Sequence, residues 1–346
     1  MSNGKIELLL ENLQSRNSSS RSSAAYLLGQ RASEIAGPQR DSAVSLLIGA
    51  FGDEPSMLRA NAAETLGKLK ATSAISALTG ILDDADEAVM KKAAEALCIM
   101  KAREAAPKLL EIVLSSKAVL KMHRGHAAAV ALRGIREPSC APNLVLALRS
   151  QNAQVRAHAA IALGGTNVPG VNEALISALK DLDWMVRFNS ACSLGELKNG
   201  KSLRPLIRTL NTDEDGIVKS GAARSLGKLK KPSAVPHLLS CIRKGDERLI
   251  REAAQALSEI RPRGIDDLRL LANAIREIKK RTIQEPVLRE GLGCLWETYS
   301  KWAARLSRMR SRGNSGIRPP PRFRSCPAKF ARKPPRQGKI KMEAGQ

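Results

Sequence analysis

The stretch Ala222-Ala-Arg-Ser-Leu-Gly227 decides the fold, because versions of it recur along the 346-residue chain. The other versions begin at Ala24, Ala62, Ala93, Ala128, Ala159, Ser190 and Ala253. The leucines of the eight copies fall at positions 28, 66, 97, 132, 163, 194, 226 and 257, so successive gaps are 38, 31, 35, 31, 31, 32 and 31 residues. A spacing this regular indicates a protein built from similar stacked units.

Each copy of this motif is predicted to lie in the second helix of a helical hairpin. In the seventh copy Val218, Ala222, Leu226 and Leu229 follow the i, i+4, i+8, i+11 pattern, which places them on one helix face. A shorter first helix precedes each copy. The turn between the two helices is acidic, as at residues 213–215, and its carboxylates are expected to cap the second helix. Prolines stand in the first turn of the shorter helix at Pro107, Pro142, Pro205 and Pro236.

The repeat unit resembles a HEAT repeat, of the short, armadillo-like type named after phycobilisome (PBS) lyases. Residues 181–197, with the dipeptide Val186-Arg187, carry the match best, and the resemblance covers roughly residues 5–260. It implies an all-α fold, a right-handed α-solenoid of about eight stacked hairpins. The arginine of the dipeptide is expected to brace the acidic turn of a neighbouring unit.

Three regions are predicted along the chain. Residues 1–262 form the repeat array. Residues 263–312 lose the motif but keep a helical pattern, so they are predicted to be C-terminal capping helices. Residues 313–346 are rich in Pro and Arg, and they are predicted to form a disordered basic tail.

The net charge of +24 predicts an anionic partner, and much of it belongs to the C-terminal end. Residues 301–346 hold 14 Lys and Arg against one acid, Glu343. A flexible polycation gains affinity for phosphate backbones by releasing counterions, so the tail is predicted to bind nucleic acid or another polyanion. The predicted contacts are Arg308, Arg310, Arg312, Arg318, Arg322, Arg324, Lys329, Arg332, Lys333 and Arg336.

A second set of cations recurs at the far end of each second helix. Stacking at about 10 Å per unit would align them as a basic ridge. One cation per helix end is explained by the helix dipole, which favours it by about 0.3–1 kcal/mol, but two or three are explained less well. The ridge comprises Lys68, Lys70, Lys101, Arg103, Arg133, Arg136, Lys198, Lys228, Lys230 and Lys231.

Three aromatic residues share one face of the last predicted helix. Trp296, Tyr299 and Trp302 follow i, i+3, i+6 spacing. Two interpretations stay open: they seal the end of the core, or they form a docking patch beside the tail.

No motif in the sequence supports catalysis. The His-Glu pairs of iron-binding HEAT hydroxylases are missing, and His123 and His126 are interpreted as a surface pair. No phosphate loop or zinc-ligand spacing is present, and the six cysteines are interpreted as reduced thiols. We therefore expect no catalytic residues, no metal and no cofactor.

The sequence favours a cytosolic, monomeric scaffold that binds a protein partner on a concave face lined by the second helices. No run of about 20 apolar residues is present, so no membrane span is expected. The resemblance also implies an alternative, a phycobilin-lyase-like subunit acting on tetrapyrrole-carrying proteins, although no catalytic residue maps onto this chain. A third hypothesis is a HEAT-type DNA-binding or repair protein that holds duplex DNA on basic side chains.

Overall fold

The structure is a computed structural model that describes residues 2–53, 55–115, 122–260, 264–284 and 289–311. Within these ranges the regular structure is helical, which confirms the predicted all-α fold. The α-helices are α1 (Ser2–Leu13), α2 (Ser18–Gln30), α3 (Gly37–Gly49), α4 (Ser56–Leu69), α5 (Ile75–Gly80), α6 (Glu87–Met100), α7 (Ala106–Ser115), α8 (Met122–Ile135), α9 (Ala141–Ala147), α10 (Ala153–Leu163), α11 (Val171–Ala178), α12 (Trp184–Leu197), α13 (Leu203–Thr212), α14 (Gly216–Leu229), α15 (Val235–Lys244), α16 (Glu247–Glu259), α17 (Ile265–Gln284) and α18 (Arg289–Ser311).

The chain divides into two compact units, residues 1–205 and 206–346. In the first unit the even-numbered helices α2 to α12 are the second helices of the hairpins, and each packs on the next one along the chain. The odd-numbered helices α1 to α11 each pack on the second helix that follows them. These stacked hairpins are the solenoid that the repeat predicted.

The acidic turns of the first unit cap the second helices, as the sequence predicted. Asp86 Oδ1 accepts a hydrogen bond from the backbone N–H of Ala88 at 2.8 Å. Asp183 Oδ1 does the same with the N–H of Met185 at 2.8 Å. Each carboxylate therefore satisfies a backbone donor that has no partner inside the helix.

The arginine of the repeat braces the turn of the next hairpin. Arg156 donates from Nε and Nη2 to the two carboxylate oxygens of Asp181, at 2.7 and 2.8 Å. Its Nη1 donates to the backbone oxygen of Ser150 in its own turn, at 2.8 Å. Arg59 and Asp84 repeat this two-point geometry at 2.7 and 3.0 Å. The guanidinium thus ties successive units together, which is the structural role expected for it.

The motif glycine allows the second helices to approach closely. A Cβ added at Gly67 of α4 would lie 2.8 Å from both Cα and Cβ of Ala96 in α6. In the second unit a Cβ at Gly227 of α14 would lie 2.7 Å from Cα of Ala256 in α16. Only a residue without a side chain fits such contacts, whereas the paired alanines of the motif are buried beside them.

The second unit repeats this arrangement in its described part. Helices α14, α16 and α18 pack in sequence, α15 packs on α16, and α17 packs on α18. Asp215 caps α14 by accepting from the N–H of Ile217 at 2.7 Å. Helices α17 and α18 occupy the region where capping helices were predicted, and the domain limits given above stay a prediction.

Candidate functional site

Five members of the predicted basic ridge adopt a left-handed backbone conformation at the ends of second helices. Among the described residues they are the only residues other than glycine with a positive φ. Their φ values are 52° for Lys70, 56° for Lys101, 63° for Arg136, 53° for Lys198 and 54° for Lys230. All five side chains are exposed.

A side chain in this conformation costs roughly 1–2 kcal/mol, which is why glycine is the usual residue at this position after a helix. A cation recovers part of that cost from the negative end of the helix dipole. The helix-end explanation therefore accounts for one cation per helix. Sequence reasoning found these residues by their charge but not their backbone conformation.

The other ridge residues have mixed surroundings. Lys68 Nζ pairs with Glu64 at 2.8 Å, and Arg103 lies 3.7 Å from a carboxylate oxygen of Glu137. Lys101 Nζ donates to the backbone oxygen of Gly134 at 2.5 Å, so it also links two helix ends. Lys228, Lys230 and Lys231 belong to the second unit. Lys68, Lys101 and Arg103 of the ridge thus make contacts within the fold.

The aromatic residues of α18 are buried. Trp302 is fully buried, and its Nε1 donates to the backbone oxygen of Leu257 at 3.1 Å. Trp296 and Tyr299 are also buried, with ring centroids 6.1 Å apart in an edge-to-face arrangement. Of the two interpretations left open, this burial fits sealing of the core. It does not fit the docking patch, which requires exposed side chains.

The predicted tail contacts fall almost entirely outside the described residues. Arg308 lies in α18 and is exposed. The side chain of Arg310 and the predicted contacts from Arg312 to Arg336 lie outside the described part of the chain.

The exposed faces of three second helices in the first unit carry large apolar side chains. Tyr26 on α2, Met57 on α4 and Ile99 on α6 are 50%, 62% and 49% exposed. Counted from the motif leucine these positions are −2, −9 and +2. Steps of seven and four residues return to the same side of a helix, so the three residues occupy corresponding faces. We call this the second-helix face.

A cleft of about 470 Å³ opens between α6 and α8 on the first unit. Its apolar lining is Ala94, Cys98, Ile99, Ala127, Val130 and Ala131. Its polar lining is Lys91, Glu95, His123 and His126. We call it the α6/α8 cleft. Sequence reasoning missed it, although one signal was present: Ile99 and Val130 occupy the +2 and −2 positions that hold Lys68 and Glu64 in α4.

Positive charges act on His126 of this cleft. Partial loss of hydration lowers the pKa of His126, and the charges of Arg133, His123 and Lys91 lower it further. Lys91 and Arg133 form no ion pair within the described residues. In contrast Lys92, next to Lys91, is neutralised by Glu64 at 2.7 Å and Glu95 at 3.4 Å.

Behind the cleft lies a buried histidine. His158 of α10 is 3% exposed, and its ring meets the edge of His126 at a centroid distance of 6.3 Å. Its Nδ1 has no hydrogen-bond partner within the described ranges. Burial, followed by the charge of His126, lowers the pKa of His158 to about 4.

Neither a metal centre nor a membrane helix is found in the described residues. No group of three or more His, Cys, Asp or Glu side chains there is placed to hold a metal ion. No helix in the same ranges is both long and apolar enough to cross a bilayer.

The chain matches the family described as HEAT repeats over residues 6–87, 43–133, 141–227, 172–258 and 203–286. These matches cover well over half of the sequence. The chain belongs to the HEAT-repeat family. None of the curated proteins matches it significantly.

Several solved structures are similar to this chain. The CpcE–CpcF complex of phycocyanin lyase from Nostoc sp. PCC7120 matches at 25% identity and a TM-score of 0.42, covering 74% of this chain and 94% of that one. Human deoxyhypusine hydroxylase matches at 20% identity and a TM-score of 0.33, covering 75% and 96%. Importin beta matches at 16% identity and a TM-score of 0.60, covering 90% of this chain and 49% of that one. The importin beta match supports the solenoid fold alone.

Proposed function

We propose that this HEAT-repeat protein is a cytosolic, monomeric and non-enzymatic scaffold. It binds a protein partner through the second-helix face, and its basic C-terminal segment contacts nucleic acid or another polyanion. The observation that carries the proposal is the recurrence of exposed Tyr26, Met57 and Ile99 on corresponding faces of three second helices.

The composition of this face supports a protein ligand. Exposed apolar side chains alternate there with charged ones such as Glu64, Lys68 and Glu95. Protein interfaces combine apolar anchors with polar surroundings in this way. Large apolar residues recurring on one face, in a row of packed helices, indicate an interaction surface rather than scattered exposure.

The C-terminal segment supports a second contact. Its positive charges stand among Pro, Ser and Gly with two phenylalanines between them, Phe323 and Phe330. Nucleic acids bind such segments in two ways: the cations neutralise the phosphates, and the bases stack on the aromatic rings. The two contacts are separate parts of the proposal because they use different residues.

The test is capture of partners from a native lysate with the full-length protein, with and without nuclease. A scaffold retains a defined set of proteins after nuclease treatment. A protein that works only through the polyanion loses every captured protein when the nucleic acid is digested, and that outcome contradicts the protein-binding part of the proposal.

A further inference from the structure

We infer that the α6/α8 cleft is a docking site for an acidic peptide segment of a protein partner, one that inserts an apolar side chain between the two helices and places carboxylates on the rim. The inference rests on the proposed scaffold function and assigns it a specific site and ligand chemistry.

The floor of the cleft provides the apolar part of the site. Ile99 of α6 and Val130 of α8 both line the cleft, and the small residues Ala94 and Ala127 line it beside them. The volume of about 470 Å³ lies within the range of roughly 300–1,000 Å³ found for ligand pockets. An apolar side chain entering this space would cover Ile99, which is 49% exposed.

The rim determines the charge of the ligand. Lys91 lines the cleft, and Arg133 lies close enough to His126 of the lining to lower its pKa. Neither cation has a carboxylate partner in the described part of the chain. Glu95 is the one acid of the lining, and Lys92 pairs with it. Two cations without a carboxylate partner therefore lie in or beside the lining, and the complementary ligand is an anion.

The openness of the cleft favours a peptide over a small molecule. Small-molecule sites enclose 70–90% or more of their ligand, whereas Ile99 in the wall of this cleft is about half exposed. A groove between two exposed helices accepts an amphipathic segment of another chain, which inserts one or two anchors and leaves the rest on the surface. The cleft also lies on the second-helix face, where Ile99 is one of the three residues that define it.

The experiment selects ligands from a random-peptide phage library on the full-length protein. Counter-selection uses the double variant Lys91→Glu/Ile99→Glu, which places a charge on the floor and reverses the charge of the lining cation. Matched controls are Leu146→Glu and Arg149→Glu, because both residues are exposed on the same unit and lie outside the cleft lining. Thermal melts followed by circular dichroism establish that each variant is folded.

The inference predicts enriched sequences that combine Leu, Ile, Met or Phe with Asp or Glu. A synthetic peptide of the enriched sequence should bind about 10-fold more weakly to Ile99→Glu, as loss of a central anchor does. Lys91→Glu should weaken binding in a salt-dependent way, and the two control variants should leave it unchanged. Replacing the acids of the peptide with lysine should abolish binding.

Four results would overturn the inference. The first is enrichment of basic peptides, and the second is enrichment of peptides that bind the double variant as well as the wild type; in both cases the cleft is not their site. The third is that no peptide is enriched while the apolar anion anilinonaphthalene sulfonate fluoresces with wild type and not with Ile99→Glu, which assigns the cleft to small anions. The fourth is that neither probe binds. In each case nuclease-resistant capture of a partner still decides the scaffold function separately.

Discussion

At the scale of single residues, His158 is predicted to make the stability of the protein depend on pH. Its pKa in the folded state is about 4, against an ordinary value of 6.5, because burial disfavours the charged form of the ring. As the pH falls, the unfolded chain binds a proton at this histidine before the folded chain does. The stability of the folded state is therefore unaffected by this titration above pH 6.5 and decreases as the pH falls towards 4. Linkage sets the full loss at about 3 kcal/mol.

We expect His158→Leu, which keeps the volume and removes the titration, to lose less stability than the wild type between these pH values. The measurement is the free energy of unfolding by denaturant across the range. His123→Gln is the control, since His123 is exposed. The carboxylate of Asp84 does not interfere in this range. Hydrogen bonds from Arg59 hold its pKa below its usual 3.8, so it affects stability only at lower pH. Parallel curves for wild type and His158→Leu would contradict the prediction.

The basic residues with a left-handed backbone conformation give a second prediction. Lys70→Gly should be more stable than Lys70→Ala by about 1 kcal/mol, because only alanine keeps the steric cost of the positive φ. Both variants remove the same charge, so the helix-dipole contribution cancels in the comparison. Chemical denaturation of the two variants measures the difference. Inside a helix, alanine is more stabilising than glycine. If Lys70→Ala were more stable than Lys70→Gly, the backbone at the end of this helix would not be left-handed in solution.

The sequence predicted some of these residue roles and not others. The acidic caps follow from the place of the acidic turn just before each second helix, and the brace formed by Arg156 and Asp181 is one that the resemblance to HEAT repeats implied. The positive φ of Lys70 and the burial of His158 were not predicted, because both depend on how the chain enters or packs against the next unit. The aromatic residues of α18 were left open for the same reason.

At the scale of helices, the contact between α4 and α6 is predicted to tolerate no side chain at Gly67. Gly67→Ala should destabilise the protein by roughly 1–3 kcal/mol, because the new methyl group meets the backbone of Ala96 at 2.8 Å and the helices must separate. The matched control is Gly80→Ala in α5, where nothing lies within 4 Å of the added Cβ.

We expect Gly80→Ala to be neutral or slightly stabilising, since alanine restricts the unfolded chain. Thermal unfolding of both variants by calorimetry measures the difference. Equal melting temperatures would mean that α4 and α6 are not in the close contact described.

The helices themselves were largely predictable, because the Ala-Ala…Leu-Gly motif fixes which side of each second helix is buried. The α6/α8 cleft was not predicted. It depends on Ile99 and Val130 occupying exposed-side positions that hold charged residues in α4, and the sequence alone does not show that these two side chains line one cleft.

At the scale of the whole molecule, the C-terminal segment is predicted to bind polyanions independently of the second-helix face. A chain ending after residue 312 should lose most of its affinity for single-stranded RNA or DNA at low salt. The logarithm of the binding constant should fall by about 0.7 per phosphate contact for each tenfold rise in salt for the full-length chain, with a much smaller slope after truncation. Fluorescence anisotropy against salt concentration measures both.

If the truncated chain kept full affinity for duplex DNA, the cations of the helices rather than the tail would be the binding surface. That result would favour the HEAT-type DNA-binding hypothesis over the tail contact. Met57→Glu is the control variant here, because it alters the second-helix face and leaves the tail unchanged.

Whether the second-helix face binds a protein is decided by one comparison. Nuclease-treated capture from a native lysate is compared, by quantitative mass spectrometry, between wild type and the variant Tyr26→Ser/Met57→Glu/Ile99→Glu, with Leu8→Glu/Leu146→Glu as the control for exposed apolar residues elsewhere on the first unit. We expect a defined set of proteins to be lost with the face variant and retained with the control. Retention of the same proteins by a folded face variant would contradict it.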